Sequence, residues 1–200
     1  MGTTLPNKNG RDTKETIFLV AAQLFAKKGY NGVSMREISE QSGVTKPTIY
    51  YYFGSKEGIY EELVETGMQY VISSFERIVD NEASAKNKLV MMTKTFFQLA
   101  IDAPEYSKFF MTIVTPGSEN AILEKFYKKM SRQRNMIMAV IEQGVESGEF
   151  GVSAKPELAT QIIGGVWQHF IWQQLSTHKK ILTDRLAEEV IEILFKGLNE

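Results

Sequence analysis

Residues 45 to 56 hold a set of side chains that can donate hydrogen bonds to phosphate or attract its charge. Four carry hydroxyl groups, which donate to phosphate oxygens, and two are lysines, whose charge releases the counterions condensed around a duplex. The set comprises Thr45, Lys46, Thr48, Tyr50, Tyr51 and Lys56. Contacts of these types position a protein on nucleic acid more than they specify a base sequence.

The first element needed to present these side chains is a short helix before residue 45. Ser34 can cap its N-terminus, while Glu37, three residues later, reaches back to the Ser34 amide. The helix therefore begins at about Met35, turns Ile38 inward and ends near Gly43, because glycine adopts the left-handed geometry of a tight turn.

A second short helix carries most of the phosphate-binding set. Thr45 is a candidate cap for it, and Pro47 is tolerated because its missing N–H falls in the first turn. Gly54 ends this helix and Ser55 caps the next one, which places Lys56 in that helix's first turn. Two short helices joined by a glycine turn form a helix-turn-helix, and this motif implies DNA binding.

The second helix has an inward and an outward side. At about 100° per residue, Ile49 and Phe53 fall on one side, whereas Pro47 and Tyr51 fall on the other. The outward side is flanked by Lys46, Tyr50 and Thr48. A competing interpretation treats the whole aromatic run as core; it fits Phe53 and, at the edge of the arc, Tyr52.

The surrounding sequence extends the motif in both directions. The run TIFLVAAQLFAKKGYNGVSMREISEQSGVTKPTIYYYFGSKEGIYEEL contains a first helix with core pairs, then Gly-Tyr, an Ile-Ser helix, Gly-Val-Thr-Lys, a Tyr-x-x-Phe ending and a Lys-Glu pair that opens a fourth helix. The core pairs are Ala21, Ala22, Leu24 and Phe25. With these matches in register, residues 13 to 63 closely resemble the DNA-binding domain of the TetR family of bacterial transcriptional regulators.

The resemblance implies which residues touch DNA. The family's contacts fall at positions that match Thr45, Lys46, Pro47, Tyr50, Tyr51 and Lys56. Two positions depart from the family pattern: many members carry His at the position of Tyr52, and a backbone-bonding hydroxyl residue at the position of Met35, for which Ser34 can substitute. The predicted DNA-binding set is therefore Ser34, Thr45, Lys46, Pro47, Thr48, Tyr50, Tyr51, Tyr52 and Lys56.

Composition fits a DNA-binding protein with two domains. The chain has 200 residues, 43% of them hydrophobic, which suffices for one small and one medium core. Its net charge is −1, but residues 1 to 60 carry eight Lys and Arg against five Asp and Glu, so the basic excess lies where DNA is expected. The absence of cysteine excludes disulfides, thiolate nucleophiles and Cys-based zinc sites, and we expect no metal and no cofactor.

Neither end of the chain predicts a membrane or secreted protein. Residues 1 to 12 are polar and predict a flexible N-terminal arm, not a signal peptide. Residues 158 to 178 lack a formal charge with neutral histidine, but four glutamines within them argue against a membrane span. The expected location is cytoplasmic.

The rest of the chain predicts helices only. A long helix over residues 55–79 links two domains, and further helices are expected over 84–101, 105–114, 118–147, 156–178 and 183–198. The expected fold class is all-α, with about nine helices. A three-helix bundle containing the helix-turn-helix occupies residues 13–60, and a helical ligand-binding and dimerisation domain occupies residues 61–200.

The last two helices predict a dimer interface, as the resemblance also implies. Apolar residues cover about half of the first of them, and the second has two apolar stripes, which suits a four-helix interface between two subunits. The predicted contacts are Ile162, Val166, Phe170, Leu186, Val190 and Leu194. Gly164 and Gly165 each cost about 1 kcal/mol of helix stability relative to Ala. This cost favours a role in close helix approach, and the alternative is that the glycines are merely tolerated.

The remaining helices are expected to enclose an effector pocket. Their aromatic and thioether side chains exceed what a minimal bundle needs, and methionine adapts to varied ligands, although core packing is the default for any single residue. Gln168 and His169 are the candidate polar contacts. The predicted ligand-binding set is Phe96, Phe97, Phe109, Phe110, Met111, Phe126, Tyr127, Met138, Trp167, Gln168 and His169.

These features predict a transcriptional regulator, and repression is the expected output. A homodimer would bind a palindromic operator on double-stranded DNA and be released by a small apolar or amphipathic effector. The alternative is a regulator or structural DNA-binding protein without an effector. An enzyme is disfavoured, because the only histidines are at 169 and 178 and no nucleophile-elbow, P-loop, dinucleotide or metal-ligand spacing appears.

Overall fold

The computed structural model describes residues 10–113, 121–151, 155–177 and 179–198. Within these ranges the chain forms helices and no strand, so the all-α prediction is confirmed. The helices are α1 (Gly10–Lys28), α2 (Met35–Ser42), α3 (Lys46–Phe53), α4 (Lys56–Val79), α5 (Ala85–Asp102), α6 (Pro104–Ile113), α7 (Ala121–Glu146), α8 (Pro156–Thr177) and α9 (Asp184–Leu198).

The ends of α2 follow the predicted signals with one exception. The Ser34 hydroxyl accepts a hydrogen bond from the Glu37 amide at 3.2 Å, and Gly43 ends the helix at φ 68°. The predicted return bond from the Ser34 amide to the Glu37 carboxylate is absent, because that carboxylate pairs instead with Lys28 at the end of α1. The pair connects α1 to α2, so Glu37 contributes to bundle packing and not to a reciprocal cap.

The ends of α3 and α4 differ in how their caps work. Thr45 occupies the cap position of α3 in extended geometry, but its side chain makes no capping bond and lies 2.8 Å from the Thr48 hydroxyl instead. The prediction of a side-chain cap by Thr45 is therefore wrong. Ser55 does cap α4, since its hydroxyl accepts from the Gly58 amide at 3.0 Å.

Two hydrophobic cores share α4. The N-terminal core joins α1, α2, α3 and the first half of α4 to side chains from α6, and Ile17, Phe25, Ile38 and Ile49 are each fully buried in it. The C-terminal core joins the second half of α4 to α5, α7, α8 and α9 around Trp167. Because α6 packs extensively on α1, the N-terminal core extends well beyond residue 60 of the chain.

Two polar contacts fix the junction of α4, α5 and α7. Lys88 is buried, and its ammonium donates to the Val79 carbonyl at 2.9 Å and to the Gln143 side chain at 3.1 Å. The Glu149 carboxylate accepts from the backbone amides of Ala85 and Lys86 at 2.8 and 2.9 Å, which caps the N-terminus of α5. Neither contact has a signal in the sequence, because each joins residues more than fifty positions apart or lies across a turn.

Candidate DNA-binding surface, ligand cavity and dimer face

The outward side of α3 has the composition that its sequence predicts. Ile49 is fully buried and Phe53 nearly so, which anchors the helix on the N-terminal core. Tyr51 is 83% exposed and Tyr50 is 48% exposed on the opposite side. Since exposed tyrosines are seldom placed side by side without a partner, this pair marks α3 as the candidate surface for DNA.

The other predicted DNA contacts surround this pair in different environments. Thr45, Lys46 and Pro47 are exposed at the start of α3. The Thr48 hydroxyl is engaged with Thr45. Tyr52 is half-buried, and its ring packs edge-on against Tyr51 with centroids 5.3 Å apart. Ser34 is exposed, but its hydroxyl is used as the cap of α2.

Lys56 is held within the protein. Its ammonium donates to the backbone carbonyls of Tyr30 at 2.9 Å and Val33 at 3.0 Å, and it lies 4.1 Å from the centre of the Tyr30 ring. Two of its three N–H donors are thereby used to tie α4 to the loop between α1 and α2. This contact orients the N-terminus of α4, and with it α3, against α1.

A cavity of about 430 Å³ lies between α4, α5, α6, α7 and α8. Its volume falls within the range of about 300 to 1,000 Å³ that is common for small-molecule sites, and its lining is mainly apolar. Six of the residues predicted to bind ligand line it: Phe96, Phe110, Met111, Phe126, Trp167 and Gln168. They come from four different helices, so the fold brings them together.

The other predicted ligand residues lie away from this cavity. Phe109 is buried in the N-terminal core, where its ring packs on Tyr60 at 5.1 Å, and Phe97 is buried in the C-terminal core against Phe170. Tyr127 is 50% exposed, Met138 is half-buried, and His169 is exposed with its ring against Phe170. These five side chains have packing or surface positions in place of a position in the cavity wall.

A tight contact between α4 and α6 forms part of the cavity wall, and sequence reasoning missed it. Gly67 lies directly against the Tyr106 ring, so a methyl group at residue 67 would overlap that ring. The Tyr106 hydroxyl donates to the Leu63 carbonyl, and burial raises the pKa of Tyr106 well above its usual range, so the hydroxyl stays protonated. The ring also stacks on Phe18 of α1 with centroids 6.0 Å apart.

Comparison with known proteins identifies the family of this arrangement. The model of "Bacterial regulatory proteins, tetR family" matches residues 17–63, and the model of "YsiA-like protein, C-terminal region" matches residues 64–197. The chain belongs to the TetR family. It is a DNA-binding transcriptional regulator and not an enzyme, as the sequence predicts.

Similar proteins cover this TetR-family chain almost completely. The fatty acid metabolism regulator protein of Bacillus subtilis is 26% identical over 193 residues, which are 96% of this chain and 98% of that protein. The transcriptional repressor KstR2 of Rhodococcus jostii is 24% identical over 96% of this chain and 92% of its own length. The crystal structure of the B. subtilis regulator FadR in complex with stearoyl-CoA superposes with a TM-score of 0.75 at 26% identity, covering 92% of this chain and 98% of that one.

TetR-family regulators dimerise, and α8 and α9 of this member present apolar side chains outward. Of the predicted contacts, Ile162 is 40% exposed, Val190 is buried within the protomer, and the remainder are half-buried: Val166, Phe170, Leu186 and Leu194. Sequence reasoning missed three exposed apolar side chains on the same two helices, namely Leu158, Trp172 and Ile193. In the described part of the chain, no helix is long and apolar enough to cross a membrane.

The two glycines of α8 in this regulator are not explained by close packing inside the protomer. No atom lies within 4 Å of the position that a Cβ would occupy at Gly164 or Gly165. Both glycines line the cavity and are exposed. Their small size therefore widens the opening of the cavity between α7 and α8.

Proposed function

We propose that this regulator is a homodimeric repressor that binds a palindromic operator and is released when a ligand with a long apolar portion occupies the cavity. The observation that carries the proposal is the cavity itself, whose wall of aromatic and aliphatic side chains joins the helices of the C-terminal domain to α6. The complex of the related FadR with stearoyl-CoA supports an acyl chain as that apolar portion.

The DNA contacts are proposed for the exposed side of α3. In a dimer, two such helices would enter successive major grooves, with half-sites about 34 to 36 Å apart or a multiple of that distance. Tyr50 and Tyr51 donate to phosphate oxygens, and Lys46 contributes charge. Ser34, Thr48 and Lys56 support this surface by orienting α2, α3 and α4.

The route from the ligand to DNA is proposed to run through α6. Ser107, Phe110 and Met111 of α6 line the cavity, while Phe109 on the same helix packs against Phe25 of α1. A ligand that displaces α6 must therefore also shift the N-terminal core relative to α4. A difference of about 1 to 3 kcal/mol in ligand affinity between the two arrangements suffices for a useful switch.

The proposal is tested with an operator selected from random DNA by the purified protein. Operator binding is measured by fluorescence anisotropy with and without stearoyl-CoA, with coenzyme A alone as the ligand control. We expect a single palindromic footprint and release by the acylated form only. A sequence-independent coating of DNA, or no release by any acyl compound, would contradict the proposal.

A matched pair of variants locates the effect in the cavity. Gly164→Leu places an isobutyl group at the cavity opening, where no atom lies within 4 Å of the added Cβ, and should leave operator binding intact while weakening release. Ala139→Leu makes a similar small-to-large change at an exposed position of α7 that does not line the cavity. Release that stays normal in Gly164→Leu would place the effector elsewhere.

A further inference from the structure

The cavity lining is almost free of charge. Its members in the described part of the chain are apolar or carry neutral polar groups, with one exception, Arg134 of α7. No aspartate or glutamate belongs to this lining. The site therefore has a net positive charge located at one point of an otherwise apolar wall.

Arg134 differs from its basic neighbours on α7 in having no protein partner. Lys129 pairs with Glu65 and Arg132 pairs with Glu76, so both hold α7 against α4. Among the described residues, Arg134 makes no ion pair and no side-chain hydrogen bond. Its guanidinium has five N–H donors in a planar fork that matches a carboxylate or phosphate, and in this structure they face the cavity without an acceptor from those residues.

The lining also has a polar end and an apolar end. Arg134, Gln161 and Gln168 are exposed and mark the opening, whereas Phe126 and Trp167 are buried at the inner wall. A ligand with one polar group and one long apolar part fits this gradient in a single orientation, with its chain inward and its polar group at the opening.

We infer that the ligand is an anionic amphiphile whose oxyanion binds Arg134 at the cavity opening, with the side-chain amides of Gln161 and Gln168 as additional donors. The inference rests on the proposed effector site and adds the charge of the ligand to it. Neutral apolar molecules of equal length would fill the chain-binding part of the site but leave Arg134 unpaired. The oxyanion is a carboxylate or a phosphate, since both accept two parallel hydrogen bonds from a guanidinium.

The test measures ligand binding directly, by titration calorimetry in the absence of DNA. Three probes share one chain length: stearate supplies a carboxylate, stearoyl-CoA supplies phosphates, and stearyl alcohol is neutral. The variants are Arg134→Gln and, as the matched control on the same helix, Arg132→Gln. Arg134→Lys keeps the charge without the planar fork, and thermal unfolding of all variants verifies that they fold.

We expect the wild-type protein to bind at least one anionic probe more tightly than the alcohol. Arg134→Gln should weaken that anion about tenfold, the effect of one charge-assisted hydrogen-bonded pair at a partly exposed site, and leave the alcohol unchanged. Arg134→Lys should give a smaller loss, and Arg132→Gln none. A loss confined to stearoyl-CoA assigns the phosphates as the bound group, and a loss confined to stearate assigns the carboxylate.

The failing outcomes separate this inference from the proposed function. Equal binding of anion and alcohol, or equal losses in Arg134→Gln and Arg132→Gln, would overturn the role of Arg134 while the effector site stands. Failure of the wild-type protein to bind any of the three probes would overturn both the inference and the proposed acyl ligand.

Discussion

Replacing Lys56 by methionine separates two roles that a lysine beside DNA can have. In the structure its ammonium donates to the Tyr30 and Val33 carbonyls, at 2.9 and 3.0 Å, and lies over the Tyr30 ring. Methionine retains much of the apolar stem but has neither the charge nor the donors. The carbonyls lose their partner, and the loop between α1 and α2 loses its connection to α4.

The size of the effect follows from these contacts. Hydrogen bonds that involve a charged group contribute about 1.5 to 3 kcal/mol, and a cation over an aromatic ring adds about 0.5 to 1 kcal/mol. Because Lys56 and Tyr30 are only half-buried, water can replace part of the loss, and we expect destabilisation of about 2 kcal/mol. For a chain of this size, that lowers the midpoint of thermal unfolding by about 4 to 8 °C.

Two assays on the same samples check the reasoning. Thermal unfolding by circular dichroism reports the stability, and operator affinity at several salt concentrations reports the number of phosphates neutralised. Loss of one phosphate contact reduces the slope of log affinity against log salt by about 0.9. We expect Lys56→Met to lower the midpoint and leave the slope unchanged, because its effect on DNA binding is through the orientation of α3.

Lys46→Met is the matched control, since Lys46 is an exposed lysine at the start of α3. It should reduce the slope by about 0.9 and leave the unfolding midpoint within about 1 °C of the wild type. The opposite result, a reduced slope with no loss of stability in Lys56→Met, would show that the ammonium leaves the two carbonyls to bind phosphate. The assignment of Lys56 as an orienting residue would then be refuted.

Three further changes test the other contacts. Tyr51→Ala should weaken operator binding about fivefold, equivalent to about 1 kcal/mol, without altering dimer mass or stability, because the side chain is 83% exposed; an unchanged affinity in anisotropy titrations would remove α3's outward side from the DNA surface. Gly67→Ala should destabilise the protein by about 1 to 3 kcal/mol in urea unfolding, because its methyl group overlaps the Tyr106 ring, whereas Gly164→Ala, with open space around its Cβ, should stabilise by up to about 1 kcal/mol; equal effects of the two would contradict the α4–α6 contact. Glu149→Gln should cost about 1 kcal/mol in the same assay, since a neutral amide accepts less strongly at the N-terminus of α5, and a neutral result would show that water caps that helix equally well.

The sequence predicts the helix-turn-helix well because its signals are local. Ser34, Gly43, Gly54 and Ser55 each act on backbone groups within a few residues, so their positions determine where α2, α3 and α4 begin and end. The outward side of α3 follows from helix periodicity alone. Thr45 is the exception, because a second hydroxyl one turn away competes for its side chain.

The cavity is predictable in composition but not in membership. Phe109 and Phe110 are adjacent on a short helix with apolar side chains on most sides, and nothing in the sequence tells which of them faces the N-terminal core and which the cavity. The answer depends on α1 and α7 packing on opposite sides of α6, which is a tertiary effect. For the same reason the role of Gly67 requires Tyr106, a residue 39 positions later, and Arg134 becomes distinctive only once its neighbours are seen to have partners.

The position of α6 limits how far the DNA-reading part of this chain can be exchanged as a module. A fragment that ends at residue 63 would contain the helix-turn-helix but lack Tyr106 and Phe109, which complete its core against Phe18 and Phe25. Transplanting that fragment onto another regulator would therefore expose aromatic surface unless the recipient's own α6 were recut to match. Specificity for an operator and response to a ligand are in this way inherited together, because one ten-residue helix is part of both.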